Sequence, residues 1–348
     1  MLACKFYRVF GNFLLLFTFL YAWPSCSQPE GDMASYFTDL HEAGTFNGNV
    51  LIVQSDSVLY SASFGYANGA KDRRLDADHL FGLGSIYKEF PAVAILQLVE
   101  KGRLSLEDRL SDLLPQFPAW AGQIQMKHLL NYTSGLARVD WPTYFQADTL
   151  VSPRILLRDL QQLEKLEHAP GSNYIYSNYN PILLMAIVEK RSGLPFDVYL
   201  EDNILKPHGI EGIQIEHKFP FTDDEQFALP FDGEFAEDDL AYELPTICGS
   251  LSGMYQWMSK LDSYEIVSKE SMKQLSKKYE GEGNFQVALG VSEWKKDELN
   301  YHSHHGSSGN YECLIQHYLD EEFLIVLLTN QKNRNLFDIA QDVRGMVD

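Results

Sequence analysis

The sequence predicts an α/β chain of the α+β kind: an antiparallel sheet built from both ends of the polypeptide, with an all-helical lobe inserted between them. Three observations carry this. Strand-like alternation marks residues 47–64, helical stretches and loops with little strand signal fill residues 105–245, and strand-like runs return after Gly249. With 348 residues the chain holds one large unit or two fused lobes and can bury a substantial core. The expected sheet lobe covers about 35–105 and 246–348, and the helical lobe about 106–245.

The elements follow in chain order. Lys5 and Arg8 precede an apolar run of 11 residues, Phe13 to Trp23, which Pro24 ends, and no acid occurs before Glu30. Such a run is short of the ~20 residues a spanning helix needs, so residues 1–26 read as a secretory signal, with a buried N-terminal helix as the bland alternative. Cys26 directly follows, where bacterial lipoproteins carry a lipidated cysteine, although Trp23 and Pro24 depart from the small residues usual before that position. The predicted location is therefore exported, either periplasmic or anchored to the membrane through Cys26.

Asn47 to Gln54 (NGNVLIVQ) reads as a strand, and Val58 to Phe64 as its hairpin partner across the turn at Ser55 to Ser57. From 86 to 101, Ile86, Phe90, Ala94, Ile95 and Leu98 recur at helical spacing and Gly102 stops the helix, with Pro91 a bend unless it lies in the first turn. A helix is expected at 253–262, strands at 285–293, 309–319 and 322–329, and an amphipathic helix from Asn335 to Met346.

Composition excludes several classes. Apolar residues make up 45% and charged residues 22%, which is ordinary for a globular protein and excludes disorder, collagen and a multi-span membrane protein. A formal charge of -20 repels phosphate backbones and argues against nucleic-acid binding. Cys248 and Cys313 are the only cysteines beyond residue 26; no CxxC or Cys/His metal spacing is present, and their pairing is not legible.

The chemistry-bearing candidates are few. GxSxG is absent, and His41-Glu42 lacks the second histidine of HExxH. What stands out is GLGSIYK: Ser85 follows a Gly-rich turn at the start of the apolar helix, with Lys88 three residues on. Positions i and i+3 share a helix face, so the amine can reach the hydroxyl, and the helix start favours developing negative charge. Burial lowers a lysine pKa and equips it as a general base. Alone this spacing is weak, since Ser292 and Lys295 repeat it by chance and, with nothing else in support, a plain helix cap with a solvated Lys88 explains Ser85 better. Tyr176 and Asn178, in PGSNYIYSNYN before a helix at 181–192, add a phenol able to carry a proton and an amide able to hold a carbonyl. His304, His305 and Gly306, with Ser307 after them, lie between two strand-like runs, where a Gly-rich edge admits a substrate and the Ser307 N–H can pair with that of Ser85 as an oxyanion hole.

GSIYK, YSN and HHG in this order, with FNGNVLIVQSDSVLYSASFGYAN, AILQLVEKGRLSLEDRLSDLLPQFP, HLLNYTSGL and GSLSGMYQW around them, resemble the serine β-lactamase-like superfamily, in the branch of class C β-lactamases, D-alanyl-D-alanine carboxypeptidases and related serine esterases. The resemblance covers residues 35–345 or so and implies a hydrolase domain over 32–348, with an antiparallel sheet flanked by helices, a helical lobe, and the site between them. It implies Ser85 as acylated nucleophile, Lys88 as its activator, Tyr176 as proton shuttle, Asn178 as substrate and lysine contact, and the amides of Ser85 and Ser307 as oxyanion hole. It implies no cofactor and a small-molecule or peptide substrate.

Departures narrow the expected substrate. His304 stands where β-lactamases of this branch keep a lysine, and a histidine near its ordinary pKa of ~6.5 is mostly neutral at pH 7. That weakens the grip on a substrate carboxylate and shifts the expectation from β-lactams to esters and D-amino-acid peptides. His305 is expected to add bulk beside the site, and Lys332 or Arg334 to supply the missing charge or merely to begin the last helix in solvent. His302, His304 and His305 invite a metal-site reading that lacks further ligands. Residues 222–243 carry nine acids and read as a solvated loop or as a rim over the cleft. The loops near 140–165 and 215–245 are expected to shape the pocket. The alternatives to a serine hydrolase are a weak β-lactamase and a non-catalytic receptor for peptidoglycan fragments or peptides.

Overall fold

The computed structural model describes residues 29–146, 150–221, 225–238, 240–281, 286–333 and 335–347. The expected export signal, Cys26 included, lies outside them. The strands are β1 (Gly48–Gln54), β2 (Ser57–Phe64), β3 (Phe81–Gly82), β4 (Ile213–Glu216), β5 (Thr246–Gly249), β6 (Val291–Lys295), β7 (Glu298–Ser308), β8 (Tyr311–Tyr318) and β9 (Phe323–Thr329). The helices are α1 (Pro29–Glu42), α2 (Glu89–Glu100), α3 (Leu110–Leu113), α4 (Met126–Leu130), α5 (Trp141–Phe145), α6 (Pro153–Gln161), α7 (Tyr179–Ser192), α8 (Phe196–Leu200), α9 (Leu251–Asp262), α10 (Lys269–Leu275) and α11 (Leu336–Val347).

The main sheet has the order β2-β1-β9-β8-β7-β6, with every neighbouring pair antiparallel. Ser55 and Asp56 turn the first hairpin with φ of 48° and 59°, the left-handed pair that suits strand twist. Insertion of β9 between β1 and β8 joins the chain's two ends, so the expected sheet of two distant halves is present. Alternation along FLIVLLT explains why β9 is central. Phe323, Ile325 and Leu327 pack with Met33 and Phe37 of α1 and Ile339 and Val343 of α11, while Leu324, Val326 and Leu328 face the larger core of α2, α7 and α9.

Several elements differ from expectation. The strand expected at 285–293 begins at Val291, and Phe285 lies outside the described residues. The long β7 was not expected as a strand, because its sequence ELNYHSHHGSS buries polar groups where apolar ones signal a strand. A small sheet, β3-β5-β4, is built from pieces of two to four residues and puts one strand inside the region expected to be all-helical. Helix α1 precedes the first strand. Pro91 is the third residue of α2, so its missing N–H costs no helical bond. The acidic stretch is tied down more than a solvated loop: Asp238 accepts the Asn310 N–H at 3.1 Å, Glu237 accepts that of Gly69 at 3.0 Å, and Phe231 is fully buried. Asp223, Asp224 and Asp239 lie outside the described residues.

Candidate active site

Between β3 and α2 the chain makes one tight 3₁₀ turn, Gly84–Lys88. In such a turn residues three apart eclipse. Ser85 and Lys88 therefore stack directly, and Lys88 Nζ lies 2.9 Å from Ser85 Oγ. This corrects the expectation that Ser85 itself opens the long helix: α2 starts only at Glu89. Tyr176, 91 residues away and just before α7, donates its hydroxyl to the same Ser85 Oγ at 2.9 Å. Its ring also lies 5.0 Å from Lys88 Nζ.

Burial sets the proton chemistry. Lys88 is 2% exposed, and desolvation pulls its pKa down to about 7. Near neutrality the amine and ammonium forms coexist: the free amine offers a lone pair to the serine proton, and the ammonium it becomes can give that proton back. Burial raises the Tyr176 hydroxyl, partly opposed by its hydrogen bond to Ser85, so it remains a phenol.

Two glycines bring the backbone amides together. The partner strand β6 reaches along β7 only as far as Ser303, so the edge from His304 to Ser308 faces the 3₁₀ turn instead. A Cβ on Gly84, whose φ is +51°, would lie 2.4 Å from Ser307 N; one on Gly306 would lie 1.9 Å from Leu83 O and 3.0 Å from Ser85 N. The turn and strand are in backbone contact that only glycine allows, and the amides of Ser85 and Ser307 flank it. Two N–H donors on facing segments are what a developing oxyanion requires.

The other expected residues divide. Asn178 lines the cleft, but among the described residues its amide makes no hydrogen bond to Lys88, contrary to the lysine contact that the resemblance implies. His304 is 2% exposed and turned inward, its Nδ1 2.6 Å from Glu89 Oε1. His305 does not crowd the cleft: strand alternation turns it to the other face, where it pairs with Glu312 at 2.9 Å and contacts the Phe337 ring. Lys332 Nζ donates to Ser307 Oγ at 2.8 Å and so places a cation at the oxyanion edge. Arg334 lies outside the described residues. Ser292 is buried on β6 while Lys295 points to Asp320, so that second serine–lysine pair makes no site.

A cavity of about 350 Å³ opens over Ser85. Trp141, Phe145, Ile182, Met185, Leu240 and Tyr242 give it an apolar wall, drawn largely from the two loop regions expected to shape it. Cys248 and Cys313 are buried free thiols, the latter pushed up to about 12 by burial. Among the described residues no cluster of three histidines, cysteines or acids has the geometry to hold a metal.

Sequence reading missed Glu89, Asp262 and His317 and took His302 only as a metal-site candidate; the four form a row of ion pairs behind Lys88. The available signal was an acid at the head of EFPAVAILQ, an otherwise apolar helix face.

A serine, a buried lysine and a phenol held where a sheet meets a helical lobe define the serine acyl-transferase and hydrolase fold. Residues 33–345 match the Beta-lactamase family, and the chain belongs to it. Penicillin-binding protein 4* of Bacillus subtilis is 26% identical over 88% of this chain and 73% of its own length. The putative penicillin-binding protein PbpX of the same organism is 35% identical, but over only 49% of this chain and 41% of its own. The chain spans 61% of Protein flp of Staphylococcus aureus, at 26% identity. Among solved structures, a penicillin-binding protein from Bacillus halodurans superposes with a TM-score of 0.76 at 21% identity, covering 89% of this chain and 99% of its own. A D-amino acid amidase from Ochrobactrum anthropi complexed with L-phenylalanine amide gives 0.72 at 17%, covering 91% and 98%. These two show the fold.

Proposed function

We propose that the protein is an exported serine hydrolase that works through a covalent acyl-enzyme on a carboxylic ester or an amide of the D-amino-acid type. One observation carries the reading: Ser85 Oγ receives hydrogen bonds from both Lys88 and Tyr176 at 2.9 Å. The Lys88 amine takes the Ser85 proton as Oγ attacks the substrate carbonyl, and the amides of Ser85 and Ser307 hold the oxyanion, each worth ~2.7–4 kcal/mol of barrier. The proton passes from the Lys88 ammonium by way of Tyr176 to the leaving alcohol or amine as that bond breaks. Water then gives a proton to the same pair, attacks the ester, and releases the acid and Ser85.

The apolar wall favours a hydrophobic or aromatic group next to the scissile carbonyl. The open edge of β7 suits an extended peptide-like chain. A neutral, inward-turned His304 gives the carboxylate of a β-lactam no charge and leaves that grip to Lys332 at the strand edge, so β-lactamase activity should be weak. The basic start and short apolar run of residues 1–26 support export.

The test is intact-mass analysis after parallel exposure to a fluorophosphonate, penicillin, a p-nitrophenyl ester and phenylalanine amide. An adduct mapping to Ser85 and lost in Ser85→Ala is expected with the fluorophosphonate and the ester. No adduct with any reagent, alongside intact peptide binding, would favour a non-catalytic receptor.

A further inference from the structure

Behind the Ser85 cluster the protein buries more charge than three reacting groups require. Glu89, fully buried, places Oε1 2.6 Å from His304 Nδ1 and 3.4 Å from His302 Nε2, while its Oε2 accepts the Trp257 indole N–H at 2.7 Å. Asp262, 2% exposed, lies 2.7 Å from His302 Nδ1 and 2.8 Å from His317 Nδ1. His317 is the outer end. It borders a second cavity of about 240 Å³ that shares no lining residue with the one over Ser85.

Hydrogen-bond chemistry assigns the protons. His302 presents one ring nitrogen to the Leu289 carbonyl at 2.9 Å and the other to the Asp262 carboxylate. Both partners are pure acceptors, so both nitrogens carry hydrogen and the ring is an imidazolium. One cation between two carboxylates makes their burial tolerable. His304 gives its Nδ1–H to Glu89 and, with burial and the neighbouring His302 and Lys88 charges against a second proton, is neutral. Glu89, His302 and Asp262 together thus carry one net negative charge, which begins at the residue following Lys88.

This step rests on the acyl-enzyme reading above. We propose that Glu89 is the positioning residue of the site: balanced by the His302 imidazolium, its carboxylate locks His304 in the neutral Nδ1–H form and sets the pH at which Lys88 activates Ser85. The charged groups around it are few. Glu89 faces His302 and His304 of β7 and Trp257 of α9; His302 faces Glu89 and Asp262; His304 faces Glu89, His302 and Lys88; Asp262 faces His302 and His317 of β8.

The experiment is the pH profile of Ser85 acylation by a p-nitrophenyl ester in Glu89→Gln, Glu89→Asp and His302→Gln. Losing the Glu89 anion destabilises the Lys88 ammonium and should move the acid limb down by about half a pH unit or more, whereas losing the His302 cation should move it up. Glu89→Asp should keep the wild-type limb at a lower rate. Lower rates without movement, or movement of both variants in one direction, would overturn the proposal.

If the variants do not fold, side-chain ¹⁵N NMR of the wild-type protein labelled at histidine decides. His302 should stay doubly protonated well above the ordinary imidazole range and His304 be protonated at Nδ1 alone; a His302 that titrates like a free imidazole would refute the charge balance. A protein that no reagent acylates would defeat the acyl-enzyme reading instead, while the NMR result would still judge the buried row.

Discussion

Replacing Gly84 by alanine tests the backbone contact on which the oxyanion hole depends. The new Cβ would stand 2.4 Å from Ser307 N, against 3.4 Å for ordinary contact, so strand and turn must separate by about 1 Å. An oxyanion bond of 2.7–3.1 Å does not survive that displacement, and one lost donor costs ~2.7–4 kcal/mol, a fall of about a hundredfold to a thousandfold in acylation rate. Alanine at a φ of +51° also adds strain of ~1–2 kcal/mol to folding. Gly44→Ala separates the two effects: Gly44 has a φ of +69° and nothing within 4 Å of a Cβ, so it carries strain without the clash. Stopped-flow acylation with a p-nitrophenyl ester and urea denaturation should show Gly44→Ala destabilised by the strain alone, Gly84→Ala destabilised by at least as much, and only Gly84→Ala slowed. A folded Gly84→Ala protein that acylates within a factor of two of wild type would refute the assignment of the Ser307 amide.

Further outcomes follow from the same geometry. Because the active form of Lys88 is the free amine and its pKa is lowered to about 7, acylation should rise about tenfold between pH 6 and 8 and be lost as pH falls through 7, as a stopped-flow pH series would record. Lys332→Met should raise KM about fivefold for an ester bearing a carboxylate beyond the scissile bond and leave its neutral analogue unchanged, in paired steady-state assays. Leu327→Ala, fully buried between β9 and α1 and α11, should cost ~2–5 kcal/mol in urea denaturation with no change in acylation rate per folded molecule.

Much of the sheet was legible because apolar alternation is legible. NVLIV and FLIVLLT announce strands buried on both faces, and the helix after Lys88 shows its periodicity plainly. The strand that carries the site did not, since β7 spends its inward positions on His302 and His304, and a pattern of buried polar residues reads as loop. Residue type and spacing singled out Ser85, Lys88 and Tyr176 only weakly, and the family resemblance grouped them; their meeting depends on contacts across 91 residues that spacing alone does not contain. Glu89 escaped for a related reason. A glutamate at the head of a helix is usually a favourable solvated charge, and only the histidines arriving from 213 residues downstream and beyond turn it into a buried one. His305 was misplaced by a single residue of alternation, which in a strand is the difference between the cleft and the opposite face.

The register of β1 against β9, from Gly48 opposite Thr329 to Gln54 opposite Phe323, has a consequence for how the molecule is made. During synthesis the hairpin of β1 and β2 emerges early but keeps one long apolar rim without a neighbour until nearly the whole chain has been produced. Closure is therefore a late event that waits for the C-terminal quarter, and a ribosome stalled short of residue 323 leaves a sticky, half-built sheet. On the proposed export route such a delay would keep the chain open for passage, because it cannot lock shut before β9 arrives.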